Sequence, residues 1–299
     1  MRTTVIGSYP LRYSELGPDA VRQAVQEQIS AGIQLVTDGQ TRGDMILVYA
    51  GALKGTEVKA EKGSAGGEGK LHITGKVEPG DASIFVEDFL EARKVAGNRA
   101  EVKACITGPA TLVFSSILET KHYKGYRDRV LYMDAAAALL SVAKALEKAG
   151  ATQFQLDEPF FSVGVPMDIA QEAVESIASG LKGEMALHVC GDVSKVFDRL
   201  LTFKGIRLLS HGFAGTPSNL ERVSREKLEK AGKLLGFGCV DTASERVESD
   251  TEVMDLVKKG ISKLGADNMV VHPDCGLRAL PPDVARAKLR ALGNAVRRL

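Results

Sequence analysis

The chain has 299 residues, of which 44% are hydrophobic, so it is long and apolar enough to bury a full core. It carries 39 lysines and arginines against 38 aspartates and glutamates, a balance that argues against binding to nucleic acids or to a membrane surface. No apolar run approaches the roughly 20 residues that span a bilayer. Its four cysteines form no CxxC pair, and no early apolar segment precedes a cleavage site, so we expect a reduced compartment, the cytoplasm.

Short apolar runs alternate with longer amphipathic stretches along the whole chain. The predicted strands are residues 3–7, 33–37, 102–107, 152–157, 185–190, 206–211, 234–241 and 269–273. The predicted helices are residues 19–31, 83–95, 126–149, 167–181, 193–201, 218–231, 251–264 and 282–298. Eight such pairs are typical of an α/β protein with a TIM (β/α)8 barrel, and we expect one barrel domain over residues 1–299. A doubly wound open sheet is the alternative.

Residues 54–79 do not fit a plain loop between a strand and a helix. Their flanks, residues 55–60 and 71–77, alternate weakly between apolar and polar side chains, which predicts a hairpin inserted after the second strand. The glycine-rich stretch at residues 62–70 suggests a phosphate-binding loop as the alternative. It lacks the preceding strand, the following helix and the Lys-Ser/Thr ending of such loops, so we favour the hairpin.

The predicted strands end in polar residues, and the active site of a TIM barrel lies at the carboxyl ends of its strands. His188 and Cys190 stand two residues apart at the end of the fifth strand, where they share one face. Cys275 follows the eighth strand. One imidazole and two thiolates suit zinc. The alternative is that the two cysteines are small core residues and that the histidine is a hydrogen-bonded core residue.

Two adjacent carboxylates, Asp157 and Glu158, end the fourth predicted strand. Successive residues of a strand point to opposite faces, so only one of the two can face the interior of the barrel. We expect this residue to be Asp157.

Six motifs follow one another at these strand ends: Ile6-Gly7-Ser8-Tyr9-Pro10, Asp38-Gly39-Gln40 with Arg42-Gly43-Asp44-Met45, Thr107-Gly108-Pro109, Asp157-Glu158-Pro159, His188-Val189-Cys190 and Pro273-Asp274-Cys275-Gly276. In this order they resemble the motifs of the catalytic, C-terminal domain of cobalamin-independent methionine synthase. The resemblance implies a barrel in which zinc binds the thiol of homocysteine, which is then methylated. It also implies the site residues, namely His188, Cys190 and Cys275 for the metal and Ile6, Gly7, Ser8, Gln40 and Asp157 for the substrate.

Several positions depart from the pattern of that family. Gly212 stands where the family has a further zinc ligand, a glutamate, and the adjacent His211 could replace it only if the strand end twists or bulges. Gln40 replaces a glutamate that contacts the substrate. Ala243 replaces the histidine that is assigned as proton donor. The folate-holding N-terminal half of the full-length relatives has no counterpart in the sequence.

These departures shape the predicted chemistry. A free thiol is mostly protonated at neutral pH, and bound zinc removes that proton, so we expect methyl transfer to a thiol, with Asp157 pairing with the substrate ammonium. A methylated pterin would need a proton for its leaving nitrogen, which Ala243 cannot supply, whereas a corrinoid leaves without one. We therefore expect methylcobalamin or a corrinoid protein as the methyl donor. The alternatives are alkyl transfer involving another thiol, such as coenzyme M, and a zinc-binding member without catalytic activity.

Overall fold

Over residues 1–60 and 69–299, which the computed structural model describes, the strands form one sheet of eight and one of three. The strands are β1 (Arg2–Thr3), β2 (Leu35–Val36), β3 (Leu53–Lys59), β4 (Lys70–Pro79), β5 (Glu101–Thr107), β6 (Ile117–Leu118), β7 (Gln153–Asp157), β8 (Glu184–His188), β9 (Ile206–Gly212), β10 (Leu234–Gly238) and β11 (Met269–His272).

The larger sheet is parallel and closes on itself. Its strand order is β1-β11-β10-β9-β8-β7-β5-β2, and every neighbouring pair runs parallel. Thr4, just after β1, forms a parallel bridge with Leu35 of β2, and the Gln34 amide donates to the Thr3 carbonyl at 3.2 Å. The two ends of the sheet are thereby joined. The predicted TIM barrel is confirmed, and an open sheet is excluded.

The helices pack around this barrel. They are α1 (Tyr13–Leu16), α2 (Asp19–Ser30), α3 (Ser83–Ala96), α4 (Pro109–Ser115), α5 (Arg129–Lys148), α6 (Met167–Ser179), α7 (Phe197–Leu200), α8 (Arg225–Ala231), α9 (Asp250–Leu264) and α10 (Pro282–Arg297). The longer ones bury one stripe: in α2 this stripe holds Ala20, Val21, Ala24, Val25 and Gln28. In the described part of the chain, no helix is both long and apolar enough to cross a membrane.

Two predicted helices are shorter than expected, and one helix longer than a single turn was missed, besides the four-residue α1. The predicted helix over residues 218–231 is interrupted, because the Ser224 side chain accepts the Lys227 amide at 3.3 Å and starts α8 anew. Of residues 193–201, only α7 is α-helical. The missed helix is α4, which has Pro109 at its first position and whose first amides bond to Glu158, a residue more than 40 positions away.

The predicted hairpin is also confirmed. Strands β3 and β4 pair antiparallel, and β6 adds to β4 as a short parallel strand. The Tyr123 hydroxyl accepts the backbone amide of Val77 at 2.8 Å and ties β4 to the segment that precedes α5. The core of the alternative phosphate-binding loop, residues 61–68, lies outside the described residues.

Candidate metal centre

The structure brings His188, Cys190 and Cys275 together at the carboxyl end of the barrel. His188 is the last residue of β8, Cys190 follows two residues later, and Cys275 lies in the turn after β11. The Nε2 atom of His188 is 2.9 Å from the Cys190 sulfur, which is 2.8 Å from the Cys275 sulfur. All three donor atoms lie within 4.8 Å of one another. His188 is buried and both thiols are half-buried, so the cluster faces the mouth of the barrel.

The electrostatics of the cluster favour a cation. A hydrogen bond from Cys190 lowers the pKa of the Cys275 thiol, and the adjacent His188 lowers it further. One sulfur is therefore ready to be a thiolate, the form that binds metals. One nitrogen and two sulfur donors within reach of a single ion form the kind of set that zinc prefers. The residues present thus fit zinc.

Asp274 occupies the space in which a side chain at position 212 would lie. A Cβ atom on Gly212 would be 2.8 Å from the Asp274 Cγ. The Asp274 carboxylate accepts the backbone amides of Phe213, Ala214 and Gly215 at 3.1, 3.2 and 2.5 Å. Within residues 1–60 and 69–299, no fourth histidine, cysteine or carboxylate joins the cluster. The described residues therefore offer three donors, and a tetrahedral zinc ion held by them would have one position left for a substrate.

His211, the candidate fourth ligand, points away from the cluster. Its ring is fully buried, its Nδ1 donates to the Val189 carbonyl at 3.1 Å, and its centroid lies 5.8 Å from that of Phe197 in α7. Burial lowers the pKa of His211 to about 3. The strand end does not bulge enough to turn this side chain inward, so alternation along β9 places it on the helix side. The suggestion of His211 as a ligand is thus corrected.

Asp157 lies beside the cluster, on the strand next to His188. Its Oδ1 accepts the Gln155 side-chain amide at 2.6 Å, and the same amide donates to the Ile6 carbonyl at 2.7 Å. Lys103 donates to the Gln155 side-chain oxygen and so fixes the direction of the amide. Burial raises the pKa of Asp157 to about 6, opposed by the nearby His188 and Gln155, so the carboxyl is mostly ionised at neutral pH.

Lys103 and Gln155 had not been predicted as part of the site. The available signals were a lysine within an apolar strand and a glutamine two residues before Asp157, on the same strand face. The adjacent Glu158 points the other way, as alternation predicts, and accepts the amides of Ala110 and Thr111 at 2.9 and 2.7 Å.

The other predicted substrate contacts border the same region. A Cβ atom on Gly7 would lie 2.8 Å from the Gln40 side-chain oxygen, so Gly7 and Gln40 are in close contact. A Cβ atom on Gly276 would overlap the Ser8 hydroxyl. Ser8 therefore lies beside the residue that follows Cys275. Gln40 has a φ of 47°, a left-handed conformation that is uncommon for a residue other than glycine. It lines a small cavity of about 30 Å³ together with Asp38, Cys105 and residues of α3.

Comparison with known proteins agrees with this architecture. Residues 11–298 match the family model described as the catalytic domain of cobalamin-independent synthase. A protein named methionine synthase from Methanothermobacter thermautotrophicus is 40% identical, over 98% of this chain and 100% of that protein. Another with this name, from Methanocaldococcus jannaschii, is 35% identical over 99% of each chain.

A solved structure is similar over nearly the full length. It is that of a B12-independent methionine synthase from Shewanella sp. in complex with selenomethionine, with a TM-score of 0.80 and 28% identity, covering 99% of this chain and 97% of that one. Sequence match, length and fold agree, and they confirm the resemblance seen in the six strand-end motifs. The chain belongs to the family of cobalamin-independent synthases and contains their catalytic domain.

Proposed function

We propose that the protein is a zinc-dependent methyltransferase that methylates the thiol of homocysteine and so forms methionine. The observation that carries this proposal is the convergence of His188, Cys190 and Cys275 beside Asp157, which pairs with His188 across neighbouring strands. The names of the relatives and the selenomethionine in the Shewanella structure, a selenium analogue of the expected product, support it.

The side chains of the site divide into two groups by role. His188, Cys190 and Cys275 would hold zinc, which when bound supplies a Lewis acid that keeps a thiol sulfur deprotonated at neutral pH. Asp157 would pair with the substrate ammonium and aim the sulfur, while Gln155 and Lys103 hold Asp157 in place. Ile6, Gly7, Ser8 and Gln40 would line the amino-acid end of the substrate. A carbon–sulfur bond forms as the bond between the methyl group and its donor breaks.

Metal analysis tests the zinc part of this proposal. We expect close to one zinc per chain, and a large loss in Cys190→Ser and in Cys275→Ser because each removes a thiolate donor. Cys239→Ser is the matched control, since Cys239 is a buried cysteine that does not belong to the cluster. Full zinc content in both cluster variants would refute the proposal.

The thiol substrate can be tested separately. Gln40 in place of a carboxylate favours, as second candidate, a thiol without an ammonium group, such as coenzyme M. Competition binding between homocysteine and thiols that lack the amino-acid group distinguishes the two. Tighter binding of homocysteine supports the first candidate, and tighter binding of the simple thiols supports the second.

A corrinoid, either methylcobalamin or a corrinoid protein, remains our proposal for the methyl donor, although the family description gives it no support. Three observations favour it. The exposed side chain of Ala243 has no acidic proton, and the rings of His211 and His272 are fully buried, so none of the three is placed to protonate a leaving pterin. The test supplies zinc, homocysteine and either methylcobalamin or methyltetrahydrofolate in parallel. Faster methionine formation from the folate would show that the donor is a pterin.

Turnover in either reaction would also exclude the alternative that the protein binds zinc without catalytic activity.

We further propose that residues 1–299 act as one barrel domain, because the helices from α2 to α10 surround one closed sheet. A cytoplasmic location remains a proposal based on cysteine use.

A further inference from the structure

A continuous chain of hydrogen bonds links the candidate metal centre to the backbone after β11. The Nδ1 atom of His272 lies 2.7 Å from the Pro273 carbonyl oxygen, and its Nε2 lies 2.9 Å from the Ser210 hydroxyl. The same hydroxyl lies 3.0 Å from Nδ1 of His188. All three side chains are at most 1% exposed. We refer to these hydrogen bonds, from His188 through Ser210 and His272 to the Pro273 carbonyl, as the Ser210–His272 relay.

The order of donors in the relay follows from its fixed end. A carbonyl oxygen only accepts, so Nδ1 of His272 must carry a proton. The His272 ring is fully buried and, among the described residues, no carboxylate bonds to it, so the ring is neutral and its Nε2 is an acceptor. The Ser210 hydroxyl therefore donates to His272, and its oxygen accepts the proton on Nδ1 of His188. The other nitrogen of His188, Nε2, faces the Cys190 sulfur at 2.9 Å.

A glycine on the intervening strand makes room for the relay. Gly236 of β10 pairs with Ser210 of β9, and on β11 it pairs with Val270, two residues before His272. A Cβ atom on Gly236 would lie 2.6 Å from Nε2 of His272 and 3.0 Å from Cβ of Ser210. A side chain at this position would occupy the space through which the serine and the histidine meet, so the contact depends on a residue without a Cβ.

We propose that Ser210 and His272 are positioning residues that set the protonation of His188, with the proton on Nδ1 and with Nε2 directed toward the metal. Histidine ligands commonly donate their second nitrogen to a partner that fixes the ring and its tautomer. Here the partner is a neutral hydroxyl whose direction is set by a second histidine. The identity of the metal in this proposal rests on the proposed zinc-dependent function. The arrangement of protons on the two histidines does not depend on that function.

Nitrogen-15 NMR of histidine-labelled, zinc-free protein tests the arrangement of protons directly. In the wild type we expect a proton on Nδ1 of both His188 and His272. A bare Nδ1 on either ring would overturn the proposal. In Ser210→Ala, the proton of His188 loses its acceptor and should shift toward Nε2. An unchanged His188 signal in that variant would also overturn it.

Zinc affinity, measured by competition with a chelator, provides the second readout. Ser210→Ala should weaken binding by about 10- to 100-fold, the usual effect of losing such a partner. Ser116→Ala is the matched control, because its buried hydroxyl donates to the Leu112 carbonyl at 2.6 Å outside the relay. Equal affinity in Ser210→Ala and the control, with both folded by circular dichroism, would overturn the proposal. A wild type that binds no zinc would refute the proposed function, while the NMR result would still decide the relay.

Discussion

Asp157 and Glu158 show how two adjacent carboxylates acquire different partners. Asp157 faces the interior of the barrel, where Gln155 donates to it at 2.6 Å. Glu158 faces outward and accepts the first amides of α4. Asp157 is the last residue of β7 and Glu158 follows it, so their side chains point to opposite faces. This alternation places one carboxylate in the site and the other at the start of a helix.

The first prediction concerns Asp157→Asn. The substitution keeps the shape of the side chain but removes the charge that would bind an ammonium group, so homocysteine should bind more weakly by about 2 kcal/mol, roughly 30-fold. Thiols without an amino group should bind as they do to the wild type. Isothermal titration with both classes of thiol measures the difference. The exposed Asp168, paired with Arg199, provides the control variant Asp168→Asn. An equal loss for both classes would show that Asp157 does not contact the ammonium.

At the scale of elements, the inserted hairpin depends on one glycine. The pairing of β3 with β4 shifts register between Lys54 and Thr56, and Gly55 between them has a φ of +74°. This is the left-handed conformation that glycine adopts without strain. A side chain here would also overlap the carbonyl of Lys76 on the partner strand.

The second prediction is therefore that Gly55→Ala destabilises the protein, by roughly 1–3 kcal/mol. Gly51→Ala is the matched control, because Gly51 has a φ of −84° and a Cβ there would meet nothing within 4 Å. Urea unfolding of both variants gives the comparison. Equal unfolding free energies would contradict the structural role of Gly55.

At the scale of the whole molecule, closing the barrel buries imidazole rings that stay neutral at pH values where a free histidine is protonated. His211 is fully buried, and its Nε2 has no hydrogen-bond partner among the described residues. Its pKa falls from the usual 6.5 to about 3. The unfolded chain therefore binds a proton in this range that the folded chain does not. The folded protein therefore has its full free energy of unfolding above pH 6.5, and proton uptake by His211 of the unfolded chain lowers this free energy as the pH falls toward 3.

The third prediction is that His211→Leu flattens the acid limb of the stability curve. Between roughly pH 6 and pH 4, the free energy of unfolding should fall less steeply than in the wild type, by about 1.4 kcal/mol per pH unit, because one proton uptake is removed. Urea titrations of zinc-free protein at several pH values measure both slopes. Parallel curves would show that His211 takes up its proton in the folded state.

The amino-acid sequence by itself determined the repeated strand–helix pattern, the hairpin and the polar strand ends. These features depend on side-chain order within a few residues: alternation for strands, a buried stripe for helices, and the position at which an apolar run stops. Local order was enough to select His188, Cys190 and Asp157, because each ends an apolar run on a face that counting along the strand predicts.

Only the tertiary structure decided which of these side chains meet. Cys190 and Cys275 are 85 residues apart, and their contact exists because the barrel closes and brings the turns after β8 and β11 to one mouth. The same closure fills the place beside Gly212 with Asp274 and aligns Ser210 with His272 across Gly236. Such contacts depend on strand order and register across the whole sheet, and no local pattern in the chain encodes them.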